Sequence, residues 1–270
     1  MNILDKIISA KKKAVTEQKE LFPVKLLERS VYFQSQPVSF KEYLCRGDKS
    51  GIIAEFKRRS PSKGVINQYA DVERTSIGYM QAGASALSIL TDQEFFGGKN
   101  DDLTVARKFN YCPILRKDFI IDEYQVIEAK SIGADAILLL AGVLSPAKIR
   151  EFATLAHSLG LEVLLEIREE KDLAAINEFV DAVGVNNRDL KTFDVDVKRS
   201  FELAGLIPEN FVRISESGLD SAATVEELRE AGYRGFLMGE KFMRNSRPEQ
   251  ACAQFIRELK TIKSFQYDRV

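Results

Sequence analysis

From Gly51 onward the chain alternates two hydrophobic patterns. Apolar runs of five or six residues fall near 52–56, 85–90, 112–116, 135–140, 161–166, 181–185, 211–215 and 235–239. Runs this short, apolar at successive positions and bounded by turn residues, read as parallel strands buried on both faces. Between and after them, apolar residues recur at helical spacing near 71–82, 100–109, 122–132, 145–159, 169–179, 196–204, 220–231 and 248–264,. Glycine marks the joins. Gly83, Gly133, Gly160 and Gly232 each close a helical stretch just before an apolar run, the place where a helix ends in a left-handed residue. One join has Phe179-Val180 instead, with no glycine. Ser145-Pro146, Asp220 before Ser221, and Arg247-Pro248 are helix-opening signals,.

Eight strand–helix units of similar length predict an α/β fold, a (β/α)8 TIM barrel of about 220 residues, with the whole chain, 1–270, as one domain. An open doubly wound sheet is the alternative. It would want a glycine-rich GxGxxG turn after an early strand, and none follows Ile52–Phe56,. Residues 1–50 stand outside the repeat. An amphipathic helix is expected over about 2–20, where Ile3, Ile7 and Ala14 recur near helical spacing, and Pro23 interrupts it,. A shorter helix is expected from Val24 to Arg29. This stretch reads as an appended N-terminal helical segment that covers part of the barrel.

Composition narrows the function. At 45% hydrophobic and 29% charged residues the chain is ordinary globular material,. Lys plus Arg number 39 and Asp plus Glu 40, a net charge of -1. No basic excess exists to draw nucleic acid or an anionic membrane surface, so an anionic ligand must be met by locally placed groups. No apolar run reaches the roughly 20 residues of a membrane span, and Met1–Ala10 lacks the apolar stretch of a secretory signal. Cys45, Cys112 and Cys252 are widely spaced, as expected of reduced thiols in a cytoplasmic protein,. The single histidine, His157, lies in a helical pattern far from any cysteine cluster, so no metal site is expected,. Acid–base chemistry would fall to lysines and carboxylates.

Those residues gather at strand ends. Glu55 and Lys57 are two apart and share one face of an extended backbone. Unpaired, such charges are costly to turn inward, although a solvated edge strand would also explain them. The third run ends in Arg116, Lys117 and Asp118, the fifth in Glu166, the sixth in Asn186, Asn187 and Arg188. The seventh ends in Ser215, Glu216, Ser217 and Gly218, and the eighth in Gly239 and Glu240. Each has a plain reading as a turn former or a local ion pair. Their clustering at one end of at least five strands favours a shared polar mouth, where barrels of this kind carry their chemistry. Ser217, Gly218 and Gly239 follow the last two strands, whose loops often hold phosphate through backbone N–H groups. Ser60 and Ser62 offer hydroxyls in the loop after the first strand.

Five motifs, in order, resemble one family: Ile53-Ala-Glu55-Phe-Lys57-Arg-Arg-Ser60-Pro-Ser62, Leu90-Thr-Asp-Gln-Glu-Phe-Phe-Gly-Gly98, Pro113-Ile-Leu-Arg-Lys117-Asp-Phe119, Gly184-Val-Asn186-Asn-Arg188-Asp-Leu190, and Ser215-Glu216-Ser217-Gly218. Together, over about residues 3–264, they resemble indole-3-glycerol phosphate synthase. The resemblance implies a lyase of tryptophan biosynthesis with no cofactor and no metal. It would close the ring of 1-(2-carboxyphenylamino)-1-deoxyribulose 5-phosphate with loss of carbon dioxide and water. It further implies Lys117 as general acid at the ribulose carbonyl, Glu166 and Lys57 as later proton carriers, and Glu55 and Asn186 as orienting groups. Substrate would be bound by Arg188 at the anthranilate carboxylate and Phe119 against the ring, with Glu216 among the contacts and Ser60, Ser217, Gly218 and Gly239 around the phosphate. Lys57 would assist at the phosphate. Two positions fit less well. Arg116 stands where an apolar residue would suffice, and Glu240 stands where a small hydroxyl could donate to phosphate, so its side chain is expected to point away and leave only its N–H.

The partner expected is a small phosphorylated substrate, with no nucleic acid and no membrane. A monomer is the default, and association with other enzymes of the pathway stays open. Two other functions are compatible with the barrel: a phosphoribosylanthranilate isomerase-like enzyme, which would more naturally use a Cys and Asp pair, and a barrel that binds a phosphorylated ligand without turning it over.

Overall fold

A computed structural model describes residues 2–267, with side chains described through Ile262. Eight strands, β1 (Ile52–Phe56), β2 (Ala86–Leu90), β3 (Ile114–Lys117), β4 (Ala136–Leu140), β5 (Glu162–Ile167), β6 (Ala182–Asn186), β7 (Val212–Glu216) and β8 (Tyr233–Met238), form a closed barrel. Every pairing is parallel, and β1 also pairs with β8. This is the (β/α)8 TIM barrel that the eight apolar runs predict. The four helix-closing glycines do adopt the left-handed conformation, with φ between 76° and 97°. The unit that ends in Phe179-Val180 departs from the pattern. In place of a helix over 169–179 it forms a short 3-10 turn, Glu170–Ala175. There the Asp172 carboxylate accepts the N–H groups of Arg168 and Glu169 and tightens the turn,.

Side chains alternate strictly along the strands, which is why both faces read as apolar. Ile52, Ala54 and Phe56 of β1 pack outward against the helices, as do Val163, Leu165 and Ile167 of β5. Ile53, Leu115, Leu138, Leu164, Ile214 and Leu237 point inward and fill the barrel. The inward column of each strand, continued to its C-terminal end, reaches Glu55, Lys117, Glu166, Asn186 and Glu216. The period of two thus delivers these polar groups to one mouth.

The N-terminal segment does more than cover the barrel. Helix α1 (Ile3–Leu21) lies across the mouth, α2 (Val24–Leu27) follows Pro23, and α3 (Phe40–Cys45) closes the opposite end with Phe40 and Leu44 buried against the inward residues. Helix α3 has too short a pattern to be legible from periodicity. The buried stripe of α1 is Ile7, Lys11 and Val15, while Ala14 is exposed. Lys11 is the unexpected member. Its ammonium reaches 2.7 Å from both Asp92 and Asp118 in the loops after β2 and β3. Asp118 also meets Thr91 Oγ1 at 2.6 Å and Arg116 at 3.4 Å, and Arg116 bonds Glu128 at 2.5 Å and the Gln125 carbonyl. Arg116, which sequence alone left unexplained, therefore faces outward and ties β3 to the helix behind it. Of the other helix signals, Ser221 rather than Asp220 caps its helix, and His157 pairs with Asp181 on the outer surface at 2.9 Å. Among the described residues no helix is long and apolar enough to cross a membrane.

Burial by itself would raise the Asp118 carboxyl, but the Lys11 ammonium and the Arg116 guanidinium outweigh it and hold the group at about 2. A depressed carboxylate stabilises the fold above its unfolded pKa of about 3.9 and loses that contribution as pH falls through the folded value. Lys11→Met should therefore lower unfolding free energy at pH 7 by about 3 kcal/mol, because two buried carboxylates lose their counter-charge. The penalty should shrink as pH is lowered toward 3, where the abandoned carboxylates can take up protons. Urea unfolding at both pH values checks this, and a loss independent of pH would contradict it.

Candidate active site

The mouth of the barrel is a cavity with one charged half and one apolar half. Ile3, Leu4 and Ile7 of α1, with Phe96, Phe119 and Leu190, supply the apolar wall. The rings of Phe96 and Phe119 stand 6.0 Å apart, tilted to one another. Glu55, Lys57, Lys117, Glu166, Asn186, Arg188, Glu216, Ser217 and Glu240 supply the polar side, with Ser60 and Ser62 at its rim.

Lys117 is the centre of the charged half. Its Nζ lies 2.9 Å from Glu166 Oε2 and 2.9 Å from Glu216 Oε2. Asn186 Nδ2 donates to the other oxygen of Glu166 at 3.0 Å, which fixes that carboxylate's plane. A second pair stands beside the first: Lys57 Nζ is 2.6 Å from Glu55 Oε1. Burial would pull the Lys117 ammonium down, but the charges of Glu166, Glu216 and Glu55 outweigh it and raise its pKa, so the amine stays protonated,. Glu216 shows the opposite strain. Burial pushes its carboxyl up; Lys117 opposes this while Glu166 and Glu55 reinforce it, and the group rises to about 7. Its Oε1 is buried with no hydrogen-bond partner among the described residues. One ammonium between two carboxylates carries a net negative charge in a poorly solvated place, and a shared proton near neutral pH relieves it.

Glycine makes room for these carboxylates. A Cβ on Gly239 would stand 2.6 Å from Glu55 Oε1, and one on Gly184 would collide with Glu216 Oε1. Gly218, with φ +73°, faces Val195 and Val197. Local packing thus already demands glycine at 218 and 239. Ser217 is a non-glycine residue at φ 69°, a conformation that costs on the order of 1–3 kcal/mol. Asn187 Nδ2 holds its carbonyl at 3.0 Å. Ser60 is buried, with its Oγ 3.3 Å from Ser62 Oγ and accepting from the Lys63 N–H. The loop carrying it pairs as a two-stranded ribbon, Arg59–Ser60 with Gly64–Val65. Asn67 anchors its far end to the carbonyls of Met243 and Asn245.

Glu240 differs from expectation. Its side chain faces the mouth, 3.3 Å from Arg188 Nη2 and 3.7 Å from Lys63 Nζ. The reason is electrostatic: two cations flank it, and no other acidic group is placed to pair with them at those distances among the described ion pairs. Lys11, Asp92 and the α1 residues that line the cavity were not singled out for the site by sequence reasoning. A signal existed, because Lys11 stands four residues after Ile7 and four before Val15 on one helical stripe. No group of three or more His, Cys, Asp or Glu among the described residues is arranged to hold a metal ion.

The family model described as indole-3-glycerol phosphate synthase matches residues 4–259. A protein of that name from Bacteroides thetaiotaomicron is 49% identical over 258 residues, covering 96% of this chain and 99% of its own length. Another from Salinibacter ruber is 41% identical over 269 residues, covering 98% and 99%. Among solved structures, thiamine phosphate pyrophosphorylase from Pyrococcus furiosus aligns with TM-score 0.60 at 12% identity, covering 83% of this chain and 99% of that one. At that identity it speaks to the fold alone.

The raised Glu216 carboxyl has a stability consequence. The folded protein binds a proton that the unfolded chain releases between about pH 4.5 and about 7, so stability should fall across that window and level off above it, by about 3 kcal/mol in all. Glu216→Gln should abolish the decline and be more stable than the parent at pH 8. Thermal unfolding from pH 4.5 to 8 measures this; equal slopes in both proteins would remove Glu216 as the titrating group.

Proposed function

The chain belongs to the indole-3-glycerol phosphate synthase family and is a decarboxylating lyase that forms indole-3-glycerol phosphate; on that premise we propose that Lys117, Glu166 and Lys57 carry its proton transfers. The observation that supports this most directly is the Lys117 ammonium, kept charged between Glu166 and Glu216 and facing an apolar wall across the cavity. The aromatic ring of 1-(2-carboxyphenylamino)-1-deoxyribulose 5-phosphate would lie against Phe119, Phe96 and α1. Its phosphate would be held at the opposite rim by Ser60 and the N–H groups of Ser217, Gly218 and Gly239. Arg188 would meet the anthranilate carboxylate.

In that pose the ring carbon that bears the carboxylate attacks the ribulose carbonyl. Lys117 gives a proton to the carbonyl oxygen as the carbon–carbon bond forms, which neutralises the developing alkoxide. Carbon dioxide then leaves, and its bonding electrons return to the ring system. Loss of water completes the indole: Lys57 protonates the departing hydroxyl, and Glu166 accepts the proton that the ring gives up. Glu55 holds the Lys57 ammonium in place, as Asn186 holds the plane of Glu166. The ribbon loop after β1 would close over the substrate and exclude water, which strengthens each of these contacts.

We read the entire chain as one catalytic unit with its first fifty residues included, since α1 forms part of the cavity wall. A cytoplasmic setting suits its three free cysteines,.

Lys117→Ala should lower turnover by at least about a hundredfold, the low end for a general acid, and leave the far-ultraviolet circular dichroism unchanged. Incubation with the carboxyphenylamino substrate while following indole fluorescence measures it. Near-full activity in a folded variant would take Lys117 out of the mechanism.

A further inference from the structure

Glu240 presents a puzzle that the catalytic reading leaves standing. A carboxylate at the rim where a phosphate is to bind repels it, yet this side chain neither turns away nor is buried. It reaches across the mouth from the residue after Gly239 to two cations on two other loops. Arg188 Nη2, in the loop after β6, is 3.3 Å from Oε2. Lys63 Nζ, at the tip of the ribbon after β1, is 3.7 Å from Oε1. The contacts are long, and the side chains of Glu240 and Lys63 are 36% and 54% exposed, so they are weak and cheap to exchange. The two lysines deeper in the mouth are held differently: Lys57 and Lys117 are locked at 2.6 Å and 2.9 Å to inward carboxylates.

We propose that Glu240 is a stand-in anion: without substrate it occupies Arg188 and Lys63, and the substrate's own anionic groups displace it and take over those two cations. This rests on the phosphate position of the preceding reading and adds a determinant of affinity to it. Three consequences follow from charge alone. With Glu240 in place, the two cations are held near each other across the open mouth instead of dispersing into solvent, so the site is prepared for an anion. A ligand must displace the carboxylate, which lowers affinity for a single small anion and favours one that bears two negative groups and engages both cations together. Lys63 changes partner in the exchange, which couples the ribbon tip to substrate occupancy.

The test uses the full chain and inorganic phosphate as probe, measured as a competitive inhibitor of turnover and by titration calorimetry, for the parent, Glu240→Gln, Glu240→Ser, Lys63→Ala and the Glu240→Gln/Lys63→Ala pair. Both Glu240 substitutions should tighten phosphate binding by about fivefold, the scale of one exposed charge pair. Lys63→Ala should cost more phosphate affinity in the Glu240→Gln background than in the parent, because in the parent Lys63 must first leave Glu240. A parent that binds phosphate competitively alongside a Glu240→Gln variant that binds it no tighter, or additive effects of the two substitutions, would overturn the stand-in and leave the phosphate site intact. If neither protein binds phosphate in competition with substrate, the phosphate position and the stand-in fall together.

Discussion

A lysine that must remain charged inside a barrel needs carboxylates around it, and most of the mouth follows from that requirement. Lys117 is at 2.9 Å from two of them. Two anions near one cation leave a negative excess, which the site tolerates because a proton can reside on Glu216 near neutral pH. Gly184 on the inward face of β6 and Gly239 just after β8 stand where any side chain would strike Glu216 or Glu55. The charge balance is therefore written into the backbone as well as into the ionisable groups. Such an arrangement costs stability, as buried charge generally does, and its presence is better explained by chemistry than by folding.

Back to back with this network lies a second one of different purpose. Arg116 and Lys117 are adjacent on β3, so their side chains point to opposite faces. Lys117 enters the barrel, while Arg116 goes outward to Glu128, and the neighbouring Asp118 receives Lys11 from α1. One short stretch thus joins the Lys117 ammonium to the staple that fixes the N-terminal helix over the cavity. Since Ile3, Leu4 and Ile7 of that helix line the apolar wall, the apolar and the charged halves of the site are positioned from the same three residues.

What could be read from the residues in order was whatever depends on local period. Strands buried on both faces are continuous apolar runs, helices end at left-handed glycines, and the positions two apart on a strand share a face; these rules located the eight units and the column that ends in Glu55, Lys117, Glu166, Asn186 and Glu216. The unit joined through Phe179-Val180 formed a 3-10 turn where a helix was expected, although Asn100–Phe109 is helical and also ends without a glycine. Helix α3 is too short to show a period, and the ribbon after β1 pairs only two residues with two. Neither could be seen without the fold.

Partnership was decided only in three dimensions. Lys11 reaches residues more than eighty positions away, and whether a lysine on a helical stripe is solvated or buried depends on what the helix meets. Glu240 illustrates the same limit: composition made it an awkward neighbour for phosphate, but its direction is set by Arg188 and Lys63 on two separate loops. Sequence carries the periodicity of a chain, and so its elements and their inward faces. Charge pairing depends on distances of a few ångströms between residues far apart in the chain, and closure of the barrel is what fixes those distances.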